Sequence, residues 1–132
     1  MRLTVVIDCL DPDALVEFWA AALGYRPLDV LGLRDYRVLV PPPDAEGRRP
    51  DGAPVVALQR VPEARTGKNR VHVDVHPADV RAHADRLVGL GGRRLSGPVT
   101  ELVDVVGTWW IVMADPEGNE LCLVADASAD PA

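Results

Sequence analysis

The chain has 132 residues, of which 48% are hydrophobic and 26% charged, and its formal net charge is −6 at pH 7. This length favours one compact domain with a substantial core, and the apolar content excludes a disordered chain. The acidic balance argues against nucleic acid and anionic membrane surfaces as partners, and no apolar run is long enough to span a bilayer.

The first residues and the cysteines predict a cytoplasmic protein. Residues 1–8 enter directly into a strand pattern and contain no signal-peptide cleavage site. Cys9 and Cys122 are two thiols far apart in the sequence and form no disulfide framework. A reducing cytoplasm is therefore the expected compartment.

The first half of the chain predicts one helix among four strands. Asp11 is the expected N-cap, Pro12 suits the first helical position and Gly24 is the expected helix end. Apolar residues at helical spacing form one stripe between them: Leu15, Phe18, Trp19, Ala22 and Leu23. The strands are predicted at 3–9, 25–30, 34–40 and 53–61, with the second and third joined near Gly32. The breaker-rich segment at 48–52 is predicted to be a mobile surface loop.

The same order of elements begins again at residue 70. A predicted strand at 70–76 precedes a helix at 78–90, whose apolar face carries Val80, Ala84, Leu87 and Val88. Strand segments follow at 93–95, 101–106, 108–114 and 120–124, and residues 126–132 are expected to fray. Asp11 to Gly24 and Asp79 to Gly92 span the same thirteen steps (24 − 11 and 92 − 79). The chain therefore has an internal repeat of order β-α-β-β-β.

The segment before the C-terminal tail predicts a hairpin with a tight turn. Asp115 can accept hydrogen bonds from its own turn backbone. Strand alternation places Trp109 and Trp110 on opposite faces, so one is expected in the core and the other in a pocket. In the last strand Glu120 and Cys122 share one face.

Polar residues of the strand at 70–76 also share a face. His72 and Asp74 lie opposite Val73 and Val75 in the predicted alternation. If the sheet curves, its polar face lines a concave pocket, which is the usual form of a small-molecule site. The alternative is an ordinary solvated sheet face, on which His72 is a hydrogen-bonded histidine and Asp74 a solvated carboxylate.

Three segments carry a family resemblance. They read DPDALVEFW at 11–19 with LGY at 23–25, KNRVHVDV at 68–75, and DPEGNELCL at 115–123. On these segments the chain resembles the vicinal oxygen chelate superfamily (glyoxalase/bleomycin resistance protein/dioxygenase), and within it the small glyoxalase-like domain proteins. The resemblance covers nearly the whole chain. It is specific for fold and not for activity, because this fold hosts lyases, isomerases, dioxygenases, thiol transferases and drug-sequestering proteins.

The resemblance implies an α+β fold in which two βαβββ modules form a curved eight-stranded mixed sheet with the shape of a cup. The modules are expected at about 1–62 and 68–126 of one glyoxalase-like domain, followed by a tail at 127–132. Proteins of this fold usually dimerise, so a homodimer is expected, and unpaired sheet edges give a physical motive for it.

The resemblance also implies where a metal would bind. Family enzymes hold a divalent metal at the bottom of the cup, and the ligand positions carry over to Thr4, Gln59, His72 and Cys122. Only His72 matches a usual family ligand, while Gln59 and Cys122 are weaker metal-ligand candidates. Asp74 and Glu120 are expected one pleat away from the ligand positions, which leaves those positions without a carboxylate. A degenerate metal site is therefore expected, with no cofactor, and a bound divalent metal is the alternative.

The first functional hypothesis is a metal-independent protein that holds a small, partly aromatic ligand in the cup. The acidic chain would suit a cationic ligand. The residues expected to contact the ligand are Thr4, Tyr36, Gln59, His72, Asp74, Trp110 and Cys122, with Met113 as a further apolar wall.

Two other functions stay open. One is an enzyme, either a glyoxalase-like lyase or isomerase (or dioxygenase) with His72 as a metal ligand, or a metal-free enzyme with His72 or Asp74 as general base. Cys122 as a nucleophile is a weaker alternative to a small buried side chain. The other is a non-catalytic partner-binding domain. The sequence leaves open the ligand itself and whether the loop at 41–52 closes over the cup.

Overall fold

The computed structural model describes residues 1–29 and 34–131. The described residues form two four-stranded mixed sheets with helices, an α+β architecture, as predicted. Their contacts divide the chain into two compact units, Met1–Arg65 and Thr66–Ala132. Each unit has the order β-α-β-β-β, which the second unit interrupts with one short additional helix, so the predicted repeat of element order is confirmed.

The first module contains strands β1 (Thr4–Cys9), β2 (Arg26–Leu28), β3 (Tyr36–Val40) and β4 (Val55–Arg60) and helix α1 (Pro12–Leu23). The strand order is β1-β4-β3-β2, with β1 parallel to β4 and the other neighbours antiparallel. These strands lie within the predicted ones. The predicted connection near Gly32 lies outside the described residues.

Local chemistry sets the ends of α1. The Asp11 carboxylate accepts hydrogen bonds from the backbone N–H groups of Asp13 (3.1 Å) and Ala14 (3.4 Å). Two of the unpaired N–H groups at the start of the helix are thereby satisfied. At the other end Gly24 adopts a φ of 66°, in the left-handed region that favours glycine, and donates to the carbonyl of Ala20.

The core of the first module lies between α1 and one face of its sheet. The buried stripe of α1 includes Leu15, Phe18 and Trp19, which face Leu39 and Leu58 of the sheet. Phe18 and Trp19 pack edge to face with ring centroids 5.6 Å apart. Trp19 therefore belongs to the core, as expected. On the opposite face of the sheet, β1 residues such as Val6 are exposed.

The second module contains β5 (Val73–Val75), β6 (Arg93–Val99), β7 (Thr108–Ala114) and β8 (Glu120–Asp126), with helices α2 (Val80–Gly89) and α3 (Val103–Val106). The strand order β5-β8-β7-β6 repeats the arrangement of the first module. Asp79 caps α2 by accepting from the Ala82 N–H at 2.9 Å. Val80, Ala84 and Leu87 are buried as predicted, but Val88 is exposed.

The strand predicted at 101–106 is wrong, because this segment ends in the short helix α3. The Val106 N–H donates to the carbonyl of Leu102, and Gly107, at a φ of 72°, closes the turn. The apolar, β-branched residues favoured a strand locally. However, β6 already pairs with β7 as far as Val99 and Trp110, so the chain must reverse here to begin β7.

The C-terminal segment is held by hydrogen bonds and is not frayed along its described length. The Ala127 N–H donates to the carbonyl of Gly107, and the Ala129 N–H to that of Asp126, both at 2.9 Å. The indole N–H of Trp109 donates to the carbonyl of Ala129 at 2.9 Å. The bonds to Gly107 and from Trp109 join residues twenty apart in sequence, which is why local composition suggested a loose end.

The described residues include no helix long and apolar enough to cross a bilayer.

Candidate functional site

The second module has a cavity of about 350 Å³ over the sheet face that α2 does not cover. Its lining combines apolar side chains with ionisable groups. The lining residues are Lys68, His72, Asp74, Thr108, Trp110, Val112, Glu120, Cys122 and Val124. This volume falls near the lower end of the range for small-molecule sites, which favours a compact ligand.

The pleat of the sheet explains why these side chains converge. Alternate residues of β7 and β8 point to opposite faces, so Trp110 and Val112 line the cavity, whereas Trp109 and Ile111 are buried in the core. The two tryptophans thus divide as predicted. Met113 was expected as a cavity wall, which is wrong: it shares the face of Trp109 and is fully buried.

Strand register brings the polar groups together. Asp74 of β5 pairs directly with Cys122 of β8, and Cys122 pairs with Val112 of β7. The imidazole Nε2 of His72 lies 3.2 Å from the Asp74 Oδ1. One ligand atom each from His72, Asp74 and Cys122 lies within 4.8 Å of the other two. The expectation that Asp74 lies one pleat too far is therefore wrong, because the cross-strand pairing sets its position and not the spacing along its own strand.

The Cys122 thiol is protonated at neutral pH. Burial raises its pKa to about 11, and the Asp74 carboxylate adds to the shift, both by its charge and by a hydrogen bond with the thiol. The Lys68 ammonium acts in the opposite direction, and Glu120 raises the pKa further. A thiol in this environment is a hydrogen-bond donor and not an activated nucleophile.

This protonation state predicts how Cys122 reacts with iodoacetamide. In a Cys9→Ala variant, which leaves one thiol, alkylation should be slow at pH 7–8 and rise steeply between pH 9 and 11. Asp74→Asn should shift the midpoint to lower pH, because it removes a neighbouring negative charge. The folded thiol keeps its proton to higher pH than an unfolded one, so its contribution to stability is lost as the pH rises through about 11. Alkylation at pH 7.5 as fast as that of a free thiol would contradict this account.

Glu120 and Lys68 form the outer polar part of the cavity. The Lys68 Nζ lies 3.7 Å from the Glu120 Oε2, longer than a normal hydrogen bond. The Lys68 side chain is 77% exposed, whereas that of Glu120 is 14% exposed. The lysine therefore sits at the rim, and the glutamate is largely covered by protein.

Three predicted site residues belong to the first module. Thr4 is exposed at the start of β1, where it pairs with Val55. Gln59 pairs with Asp8 and with Tyr36. Thr4 therefore lies four residues along the strand from the row of Gln59, about 13 Å away. The structure brings Tyr36 and Gln59 together, but not Thr4 with either of them.

When the two modules are aligned by their strand pairing, the ligand position predicted at Gln59 falls on a different residue. His72 stands one residue before Val73, and Cys122 one residue after Leu121, the partner of Val73. In the first sheet Thr4 stands one residue before Val5, whose partner is Val56. The residue after Val56 is Ala57 and not Gln59. The first-module equivalent of Cys122 is thus a methyl group.

Sequence reasoning missed four residues of the cavity lining. Thr108, Val112 and Val124 were not singled out, although each lies an even number of residues from Trp110 or Cys122 on the same strand. That alternation is the signal that could have found them. Lys68 has no such signal, because it precedes β5.

The geometry agrees with a comparison to protein families, in which a model described as glyoxalase-like domain matches residues 4–124. The chain belongs to the glyoxalase-like domain family. No curated protein matches it significantly.

Solved structures share the fold of this glyoxalase-like protein at low identity. A glyoxalase/bleomycin resistance protein/dioxygenase family enzyme from Burkholderia phytofirmans PsJN is 18% identical, with a TM-score of 0.60 over 92% of this chain and 94% of its own. A glyoxalase/bleomycin resistance protein from Albidiferax ferrireducens T118 is 14% identical, with a TM-score of 0.65 over 94% and 97%. TioX from Micromonospora sp. ML1 is 20% identical, with a TM-score of 0.60 over 96% and 98%. At these identities the likeness establishes the fold alone.

The residues of this glyoxalase-like protein do not fit the divalent metal that its superfamily implies. A magnesium-like or iron-like ion prefers oxygen and imidazole ligands with carboxylates to balance its charge. The first-module positions carry Thr4 and Ala57, a hydroxyl and a methyl group. In the second module His72 and Asp74 are suitable donors, but the third donor, Cys122, offers a soft sulfur atom that does not suit a magnesium-like ion.

Proposed function

We propose that this glyoxalase-like protein binds a small molecule in the cavity of its second module without a resident metal. The observation that carries the proposal is the lining itself. Trp110, Val112 and Val124 supply an apolar floor, and the cluster of His72 and Asp74 supplies hydrogen-bonding groups beside it. Such a lining, mostly apolar with a few convergent polar groups, is typical of ligand pockets.

The polar cluster supports binding more than catalysis. The Cys122 thiol is protonated, which disfavours nucleophilic attack. The Asp74 carboxylate is already engaged by the His72 imidazole and the Cys122 thiol, and strand pairing holds Asp74 beside Cys122. Groups held in this way present a fixed hydrogen-bonding surface, which favours recognition of a ligand of matching shape.

A second candidate is a metal-dependent lyase or isomerase in which His72 is one ligand. The observation that favours it is the approach of three donor atoms from His72, Asp74 and Cys122 within 4.8 Å. Histidine, carboxylate and thiolate together are a zinc-type donor set. It requires the metal to displace the Cys122 proton, which is released to solvent, so metal binding becomes weaker as the pH falls.

A thermal-shift screen on protein of measured metal content separates the two. Protein purified without an affinity tag should hold well under one equivalent of divalent metal and still be stabilised by at least one compound of a metabolite screen. A ligand at 100 times its Kd adds about 2.7 kcal/mol to the free energy of unfolding. Trp110→Ala should abolish the shift, because it removes the largest apolar part of the cavity floor.

The control for metal binding is a pair of histidines. His76 is exposed directly after β5, as His72 is directly before it, but His76 does not line the cavity. A full equivalent of metal that is lost in His72→Ala and retained in His76→Ala, with stabilisation by compounds only in its presence, would favour the metal enzyme. A broad screen without any stabilising compound would contradict small-molecule binding.

A further inference from the structure

The cavity of the second module carries more negative than positive formal charge. Asp74 and Glu120 are carboxylates, and among the described residues of the lining Lys68 is the one lysine or arginine. The Lys68 ammonium is mostly in solvent, where water screens its charge, whereas the Glu120 carboxylate is largely covered. A ligand group placed between them therefore meets the field of the carboxylates more strongly than that of the lysine.

The Asp74 carboxylate is accessible to a ligand. Its side chain is 53% exposed although it contacts His72. A carboxylate offers about four acceptor positions, so the contacts with His72 and Cys122 leave some of them open to the cavity. An ammonium group with its three donors fits such a surface, and a second carboxylate in the ligand would be repelled by it.

The aromatic part of the cavity lies one strand repeat from this carboxylate. Asp74, Cys122 and Val112 form one row across the sheet, and Val124 and Trp110 pair in the next row on the same face. Two residues along a strand span about 7 Å and neighbouring strands lie about 4.8 Å apart, so the Cα atom of Asp74 is roughly 8 Å from that of Val124 and roughly 12 Å from that of Trp110, two strands away. A flat ring that lies over Val124 and borders Trp110 is thus separated from a cation at Asp74 by a short linker in the ligand. The indole also attracts cations placed over its face.

Resting on the proposed function above, we infer that the ligand is an arylalkylamine, a planar aromatic group joined by a short aliphatic linker to a primary ammonium. Asp74 accepts hydrogen bonds from the ammonium, Glu120 adds to the negative field, and Trp110 and Val124 receive the ring. Lys68 opposes binding and sets an upper limit on affinity for cations.

Three compounds with one ring system test the inference. Tryptamine carries the ammonium, 3-methylindole has no charge and indole-3-propionate carries a carboxylate. Isothermal titration at low salt should show tryptamine binding at least tenfold more tightly than 3-methylindole, and indole-3-propionate binding more weakly than both. Salt should weaken the binding of tryptamine and leave that of 3-methylindole unchanged.

Variants assign the effect to named residues. Asp74→Asn should weaken tryptamine binding at least tenfold and leave 3-methylindole unaffected. Lys68→Met should strengthen tryptamine binding, a gain that a misfolded variant cannot produce. Asp104→Asn makes the same change of net charge at an exposed residue outside the cavity and should have no effect.

The outcomes distinguish this inference from the proposal on which it rests. Equal binding of the three compounds, or tighter binding of the carboxylate, would overturn the arylalkylamine and leave small-molecule binding intact. Tryptamine that fails to bind would also overturn it. If another compound of the broad screen still stabilises the protein in a way that depends on Trp110, the failure concerns ligand class alone.

Discussion

Trp109→Ala is expected to lower the free energy of unfolding by about 4 kcal/mol, the usual cost of replacing a large buried aromatic side chain with alanine. Trp109 is 2% exposed and lies between the sheet of the second module and α2. Its indole N–H donates to the Ala129 carbonyl, and the Arg81 guanidinium lies 5.8 Å from the centre of its ring. The substitution therefore leaves a cavity and also releases the C-terminal segment.

Trp110→Ala is the matched control for this prediction. It is the same substitution one residue further along, on the opposite face of the strand, where the side chain borders the cavity. The expected loss of stability is roughly half that of Trp109→Ala, because Trp110 is only partly buried and borders open space. Urea denaturation with a common m-value measures both variants. Equal losses for the two tryptophans would contradict the assignment of faces.

Asp115→Ala is expected to cost about 3 kcal/mol. Asp115 is fully buried, and its carboxylate accepts from the backbone N–H groups of Glu117 (2.8 Å) and Asn119 (2.9 Å) and from the Asn119 side-chain amide (3.0 Å). Hydrogen bonds to a charged acceptor contribute about 1.5–3 kcal/mol each, and donors left without a partner add a desolvation cost. The loss should appear as a lower urea midpoint and as faster amide exchange at residues 117–119.

The matched control is Asp44→Ala in the first module. Asp44 makes the same kind of turn, accepting from the N–H groups of Glu46 (3.0 Å) and Arg48 (2.8 Å). Its side chain is 39% exposed, so water can replace the lost acceptor. The expected cost is below about 1 kcal/mol. If Asp44→Ala were as costly as Asp115→Ala, burial would not be the cause of the difference.

Local rules predicted the parts of this fold that depend on neighbours in sequence. Asp11 and Gly24 define the ends of α1 as expected, because capping involves groups within four residues of one another. The opposite faces of Trp109 and Trp110 followed from the two-residue period of a strand. The strand prediction for 101–106 failed because strand propensity is a local property. It does not show whether a neighbouring strand is available for pairing.

The candidate site shows the same division. His72 and Cys122 were predicted to share a cavity, and the structure places both in its lining. Asp74 lies beside Cys122 because of the register between β5 and β8. Ala57, and not Gln59, is the equivalent position in the first sheet because of the register between β1 and β4. Register joins residues about fifty apart in sequence, and a shift of one residue reverses the face that a side chain occupies.

The amino-acid sequence by itself determined most of the helices and strands, their apolar faces and the family of this protein, because structural periods, capping groups and family motifs depend on short stretches of neighbouring residues. Only the tertiary structure decided which polar side chains meet. It placed a protonated thiol beside Asp74 and a largely covered carboxylate beneath Lys68. The physical reason is that cross-strand pairing and burial, which set these distances and the pKa of Cys122, depend on segments that are remote in the chain.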